Sequence, residues 1–392
     1  MSELLTKRWQ ETKEALLEGL QGTKKSVMGV TLENTRKYLA ETASAGTTSA
    51  GNVATLNRVI LPVIRRVMPT VIANELVGVQ PLTGPVGQIH TLRVRYADSV
   101  NANGDIVGTT AGEEALSPFK IAEQYSGASS GKAASTATME GIAGRRMSIQ
   151  ILKQTVEAKT RKLSARWTFE AAQDMQSQHG IDVEAEIMAA LAQEITAEID
   201  QEILASLNSL AGNPLATFDQ ANVSGTATFV GDEHAALAVL INRVANMIAQ
   251  RTRRGAANWA VVSPFVLTIL QSATTSAFAR TTEGTFEAPT NTKLVGTLNG
   301  AMKIYVNTYA SDTQPILIGY KGTSESDAAA FYCPYIPLMS SGVVLDPSTF
   351  EPVVSFMTRY GYVELTNTAS SLGNAQDYLG KVGVTTANVK FS

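Results

Sequence analysis

Three histidines, one cysteine and a few clusters of charge are the residues of this 392-residue chain whose types could support chemistry. His90, His179 and His234 are scattered, with no HExxH pair and no second histidine four residues on. The helical spacing that offers two imidazoles to one zinc ion is therefore missing. Cys333, the sole cysteine, excludes an intrachain disulfide and a thiolate zinc cluster. Its setting in FYCPY suits a small buried hydrophobe, although a thiol site with a histidine brought near by folding stays open. SGASSGKAA, Ser126 to Ala134, comes nearest to a phosphate loop. Ser126 stands where the first glycine belongs, Ala133 where the magnesium-binding hydroxyl belongs, and no strand and helix flank it. No GxSxG elbow occurs.

The charge clusters have two readings each. Arg251, Arg253 and Arg254 would either touch phosphate or DNA, or complement the carboxyl end of a helix dipole, and the second is favoured. Asp182, Glu184, Glu186, Glu194, Glu198, Asp200 and Glu202 run without an intervening Lys or Arg. They would line a metal site or, preferably, form a face that pairs with basic residues elsewhere. No cofactor is implied and nothing commits the chain to catalysis. A soluble enzyme using His179, Asp174 or Cys333 is the distant alternative.

These acids lie on the longest helical signal in the chain. Ile187, Leu191, Ile195, Ile199, Ile203, Leu207 and Leu210 are spaced by four and then three, which predicts a helix from Asp182 to Ala211. Asp182 is its expected N-cap, and Gly212 with Pro214 stops it. At 1.5 Å per residue it is roughly 45 Å long, and steps of four wind its apolar stripe by about 160°. Its ends therefore face different neighbours, as in a spine under an extended subunit.

Ahead of it, Ser2 to Glu41 reads as mixed-charge helix with Leu16, Leu17 and Leu20 on one face, too small to form a core. Thr42 to Thr55 has linker composition, and Pro62 and Pro69 break the apolar run from Leu56 to Val77. Ile89, Leu92, Val94 and Tyr96 suggest a strand. Asp98 to Gly144 is a Gly/Ala/Ser/Thr-rich excursion, and Arg146 to Phe169 returns as an extended basic segment with Lys153, Lys159, Arg161, Lys162 and Arg166. Together they predict a long projecting hairpin.

After the spine come a helix over Gly231 to Gln250, a strand at Trp259 to Val262, a helix opened by Ser263 and Pro264, strands at Met302 to Tyr309 and Ile316 to Tyr320, and an apolar run at Val353 to Leu365. A small, polar tail follows Thr366. Irregular alternation indicates an α+β fold. With 17% charged residues and a net charge of −3, no global basic field draws the chain to nucleic acid or membrane. The first twenty residues have no apolar core of signal-peptide length and no apolar run of membrane-spanning length occurs, so neither secretion by the usual route nor a membrane span is expected.

Five strings are specific enough to carry a family resemblance. GVQPLTGPVGQIHTLRVRY from Gly78, EAKTRKLSARWTFEAAQDMQSQHGIDVEAE from Glu157, RRGAANWAVVSP from Arg253, and the pair GYKGTSESDAAAFYCPY and DPSTFEPVVSFMTRYGY from Gly319 and Asp346 occur here in order. They resemble the major capsid protein of T-even-type tailed bacteriophages. That resemblance implies the Hong Kong-type tailed-phage capsid fold. Residues 1–41 would be a helical segment and a candidate for proteolytic removal, 42–77 an N-arm, and 78–169 the E-loop hairpin and start of a peripheral domain. Residues 170–231 would carry the spine helix, 232–340 an axial domain, and 341–392 the peripheral return strand and tail.

The resemblance further implies hexamers tiling an icosahedral head around double-stranded DNA, bound without sequence specificity. Scaffold, vertex, portal and decoration proteins would be partners in a virion assembled in the host cytoplasm. A pentameric vertex protein or an encapsulin-like shell protein is the close alternative. Family precursors are cut after a glutamate in a Leu-x-Glu context, which here matches Leu39 and Glu41; Thr42 departs from the usual small residue after the cut. T-even relatives also carry an inserted domain near the E-loop for which Asp98 to Gly144 is too short. Pairing of basic Lys153, Lys159, Arg161, Lys162 and Arg166 with a neighbour's acidic Glu194, Glu198 and Glu202 is the expected contact between subunits.

Overall fold

The computed structural model describes residues 9–10, 13–14, 17, 25–34, 72–101, 108–113, 115, 125–127, 133–141, 143–179, 182–223, 230–273, 278–280, 293–324, 327–349, 351–365 and 375–389. The spine is α2, Val183–Leu210, preceded by α1, Phe169–His179. Asp182 caps α2 as expected, its Oδ1 accepting the Glu184 N–H at 3.1 Å. Gly212, at φ +68°, supplies the left-handed turn that ends it.

Two larger sheets flank the spine. In the five-stranded sheet the central strand is β13, Pro352–Glu364. It pairs antiparallel with β4, Lys159–Arg166, on one side, and with β11, Ala330–Ser340, then β12, Val344–Leu345, on the other. Short β1, Gly78–Val79, runs parallel to β11. The seven-stranded sheet has the order β5, β14, β10, β6, β9, β8, β7. Its strands are β5 Ala216–Phe218, β6 Trp259–Val262, β7 Phe278–Arg280, β8 Lys293–Leu298, β9 Met302–Val306, β10 Ile316–Gly319 and β14 Leu379–Val384. Helices α3, Val230–Thr252, and α4, Pro264–Ser272, pack on one face of it.

Period-two alternation sends side chains of its central strands to two cores, so β6 and β10 are buried throughout. Ala260, Val262, Ile304, Val306, Ile316 and Ile318 face the α3 and α4 side chains. Trp259, Val261, Tyr305 and Leu317 join the opposite core, which contains Ile195, Ile199, Ile203 and Leu207 of the spine. The spine thus lies between the sheets. Glu198, Glu202 and Ser206, one helical step of four apart, bond to β4 and β13, while Gln201 pairs with Asn307 just past β9 at 2.9 Å.

A third, two-stranded sheet stands by itself: β2, Val86–Tyr96, against β3, Met147–Glu157. Its base rests on the body through Val156 and Ile89, which pack with Leu82, Phe331 and Cys333. Gly361 of β13 makes room there, since a Cβ on it would stand 2.9 Å from Val156 Cγ2. The distal end has its own small core of Tyr96, Val100, Ala115 and Tyr125.

Four expectations change. The basic strand β4 belongs to the five-stranded sheet and not to the projecting ribbon, because alternate residues Arg161, Leu163 and Ala165 turn inward while Lys162, Ser164 and Arg166 stay exposed. The sheets divide the chain differently from boundaries at 232–340 and 341–392: β11 pairs with β13, whereas β14 joins the seven-stranded sheet. The region after Thr366 therefore contains a buried strand. Its small residues are a packing requirement, as a Cβ on Gly380 would lie 2.6 Å from Val244 Cγ1 of α3. Finally, Val27, Met28 and Leu32 of the N-terminal region are buried in the spine's core.

Ile195 is 1% exposed in that core. Ile195→Ala is expected to destabilise the subunit by about 2–5 kcal/mol, as other large-to-small core changes do. Urea unfolding of the soluble chain measures this, and an unchanged midpoint would contradict the spine's place in the core.

Candidate functional site

The spine's outward acids meet the basic strand within one chain. Strand pairing sets Arg161 of β4 opposite Thr358 of β13, with Tyr360 its diagonal neighbour on the same face, and helical spacing stacks Glu198 over Glu202 opposite them. Arg161 Nε donates to the Tyr360 hydroxyl at 2.6 Å, Nη1 to Glu198 Oε2 at 2.7 Å and Nη2 to Glu202 Oε2 at 2.5 Å. The Tyr360 hydroxyl donates in turn to Glu202. Burial alone would raise the Glu202 carboxyl; the bonds from Tyr360 and Arg161 outweigh it and hold the group below its ordinary range. This network staples helix to sheet.

Arg161, Glu198 and Glu202, expected to pair between subunits, engage one another within this single chain because β4 folds back onto its own spine. Arg166 lies 3.7 Å from Glu351 of the same chain. Lys153 on β3, Lys159 and Lys162 on β4, and Glu194 on α2 are exposed.

The residues considered for chemistry do not assemble. His90 is exposed on β2, opposite Lys153; His234 is buried on α3, its Nδ1 2.5 Å from Ser272 Oγ; and His179 ends α1. Cys333 is buried on β11, where desolvation pushes its thiol up to about 12 and leaves it unreactive. Among the described residues no group of three or more His, Cys, Asp or Glu side chains could hold a metal ion. Part of SGASSGKAA lies outside the described residues. The arginine cluster is a helix ending: Arg253 adopts φ +50° and Arg254 Nη1 donates to Asp327 Oδ1 at 2.6 Å. Leu39, Glu41 and Thr42 lie outside the described residues.

Two features escaped the sequence reading. Asp200, counted there among the surface acids, is 1% exposed. Its Oδ1 accepts the Ile72 N–H at 2.9 Å, which fixes the turn Ala73–Leu76 leading into β1. Its Oδ2 has no hydrogen-bond partner among the described residues, and desolvation pushes the carboxyl up to about 7. The only available signal was its position beside Ile199 on the buried stripe.

The second feature is a stripe of exposed apolar side chains on the ribbon. Met147, Ile149 and Ile151, alternate residues of β3, are 54%, 67% and 66% exposed and share one face. Across the ladder they oppose Tyr96, Val94 and Leu92. Three large apolar side chains in a row on one strand face are more than the singly scattered surface hydrophobes that need no explanation. The polar alternates Ser148 and Gln150 occupy the other face.

Comparison with known proteins gives a consistent result. A family model described as major capsid protein Gp23 matches residues 53–384. The major capsid protein of Enterobacteria phage T4 is 30% identical, with 83% of this chain and 78% of the relative covered. That of Vibrio phage KVP40 is 27% identical, with 97% of each covered. Solved structures that align include one titled Mycobacterium phage Adephagia, at TM-score 0.48, 11% identity and 80% and 89% coverage. The capsid of Myoviridae Phage XM1 aligns at TM-score 0.46, 10% identity and 80% and 92% coverage.

The buried carboxyl makes a pH prediction. A carboxyl raised to about 7 in the folded chain, against 3.8 ordinarily, binds more protons folded than unfolded between those values. Its contribution to stability therefore declines as pH rises from about 4 to about 7 and is flat above, by a few kcal/mol in order of magnitude. Asp200→Asn keeps an acceptor for Ile72 and removes the titration. Relative to wild type the variant should melt higher at pH 8 than at pH 5; equal differences at both pH values would refute the assignment. Glu202→Gln should have the opposite sense, costing about 1 kcal/mol at pH 7, a figure kept small because the group is partly exposed, and less near pH 4. Thermal melts of the two variants read both effects.

Proposed function

The chain belongs to the family of the major capsid protein Gp23, and from that premise we propose how its copies join. It is a structural head-shell protein of a tailed phage, not an enzyme, it self-assembles, and it is a component of the virion. With the family goes the α+β tailed-phage capsid fold. Among the described residues no helix is long and apolar enough to cross a membrane.

In the proposed assembly the ribbon of β2 and β3 is the E-loop, α2 with the five-stranded sheet is the peripheral domain, and α3, α4 and the seven-stranded sheet form the axial domain. The chain forms hexamers that tile an icosahedral shell around double-stranded DNA, in the host cytoplasm, together with scaffold, vertex, portal and decoration proteins. The observation that carries the contact is the exposed face of Met147, Ile149 and Ile151 on a ribbon whose base is packed on the body. We assign that face to a second copy. Exposed Lys153 beside that face, and exposed Lys159, Lys162 and Glu194 on the body, set register rather than supply the affinity. Cleavage after Glu41 in the Leu39 to Thr42 context completes the proposal, and the intact mass of the subunit from filled heads reads it directly.

Ile149→Asp combined with Ile151→Asp should leave a soluble subunit with a near-normal melting temperature, because neither side chain is buried within the chain, while abolishing shells. Electron microscopy and light scattering of both proteins decide it. Normal shells from the double variant would remove the ribbon face from the assembly contact.

A further inference from the structure

Residues 25–34 are helical and bury Val27, Met28, Thr31, Leu32 and Asn34, positions three and four apart that share one face. The apolar members of that face enter the core that holds Leu76, Val79, Leu191 and Leu338. A second helical stretch, described at residues 9–10, 13–14 and 17, folds back over it. Leu17 Cδ1 and Lys13 Cε lie 3.8 Å from the position a Cβ on Gly29 would take. Trp9 Nε1 donates to Glu33 Oε2 at 3.2 Å, and Lys13 Nζ stands 3.7 Å from the same oxygen.

Asn34 fixes where this pair of helices sits. Its Nδ2 donates to the Leu82 carbonyl at 2.7 Å and to the Tyr335 carbonyl at 3.0 Å. Both acceptors are left over by the sheet. The register of β11 against β13 shifts between Pro334 and Ile336, so Tyr335 has no ladder partner there, and Leu82 follows β1 with its own N–H given to the Pro334 carbonyl. One side-chain amide thus satisfies two backbone carbonyls that a neighbouring strand would otherwise take.

We propose that residues 25–34, with Trp9, Lys13 and Leu17 packed on them, are a releasable plug, and that the surface beneath them is a binding site for one amphipathic helix, filled by this chain's own residues 25–34 until they are withdrawn. The plug's apolar residues share the spine's core, while the rest of the body also has contacts of its own. The spine is held to β4 and β13 by the Arg161 network, and the α3 and α4 core contains no N-terminal residue. Withdrawal would uncover an apolar seat and free the Leu82 and Tyr335 carbonyls, so the intact chain keeps closed a surface that the shortened chain presents. What withdraws the plug rests on the cleavage proposed after Glu41; the seat itself does not.

Hydrogen–deuterium exchange on the full-length chain tests this peptide by peptide. In wild type, residues 25–34 should be protected. In Leu32→Asp their protection should fall at least ten-fold, while spine peptides spanning 195–207 stay within two-fold of wild type. Asn34→Ala, a milder change that covers the case of an insoluble Leu32→Asp chain, should give a several-fold loss confined to 25–34 and the peptides containing Leu82 and Tyr335. A synthetic peptide of residues 9–34 added to the Leu32→Asp chain should restore protection around Leu82 and Tyr335, and failure of the peptide to do so would deny a separable site. Free exchange of 25–34 in wild type would mean that there is no seat. Loss of spine protection together with 25–34 in either variant would mean that the helix is an integral part of the core. Failure of the cleavage alone would show separately, as full-length mass in filled heads with the exchange pattern unchanged.

Discussion

Everything in this subunit depends on one helix being buried from two sides at once. The residues of α2 that meet β4 and β13 and those that meet the seven-stranded sheet lie at the same level of the helix, on adjoining faces. A helix exposed on one flank would need only a single apolar stripe; this one has apolar and hydrogen-bonding positions around much of its girth. Ile195, Ile199, Ile203 and Leu207 supply the apolar contact. Polar side chains at its margins choose the angle: Glu198 and Glu202 through Arg161, Ser206 through Tyr362, Gln201 through Asn307. The apolar burial supplies most of the stability, and the charged staple, being partly exposed, contributes chiefly geometry.

Asp200 shows what such a position costs. A carboxyl placed against the buried stripe loses its hydration and recovers one backbone hydrogen bond, which is why its proton affinity rises toward neutrality. In return it ties the turn that precedes β1 to the middle of the spine, joining the incoming chain to the element on which both sheets rest. Read as one of seven surface acids, it had the composition of its neighbours; only its angular position on the helix set it apart.

Elements with strong periodicity were legible in the sequence. The spine, its Asp182 cap, α3, the Ser263 and Pro264 start of α4, and β6, β9, β10 and β13 all stand where spacing and capping residues put them. What local pattern could not convey was pairing between distant segments. Strand β4 has the alternation of a hairpin arm and of a sheet strand alike, and only its partner β13 decides between them. β14 was hidden by its glycines, which look like loop residues in sequence and serve in the fold as the clearance for α3. Among the candidate contact residues, the charge signs of Arg161, Glu198 and Glu202 were read correctly as complementary, yet sequence does not say whether complementary charges meet within one chain or between two. The apolar alternation of Met147, Ile149 and Ile151 is present in the sequence, but only the pairing of β3 with β2 shows that this face is left exposed by its own chain.

The central claim is that the body closes on itself through the Arg161 staple and leaves the ribbon's apolar face for a second copy. A cryo-electron microscopy map of assembled shells at side-chain resolution tests it most directly. The account predicts Arg161 on the Glu198 and Glu202 of its own spine, with Met147, Ile149 and Ile151 covered by a neighbouring subunit. A map in which Arg161 reaches a neighbour's spine while that apolar face lies open to solvent would contradict it.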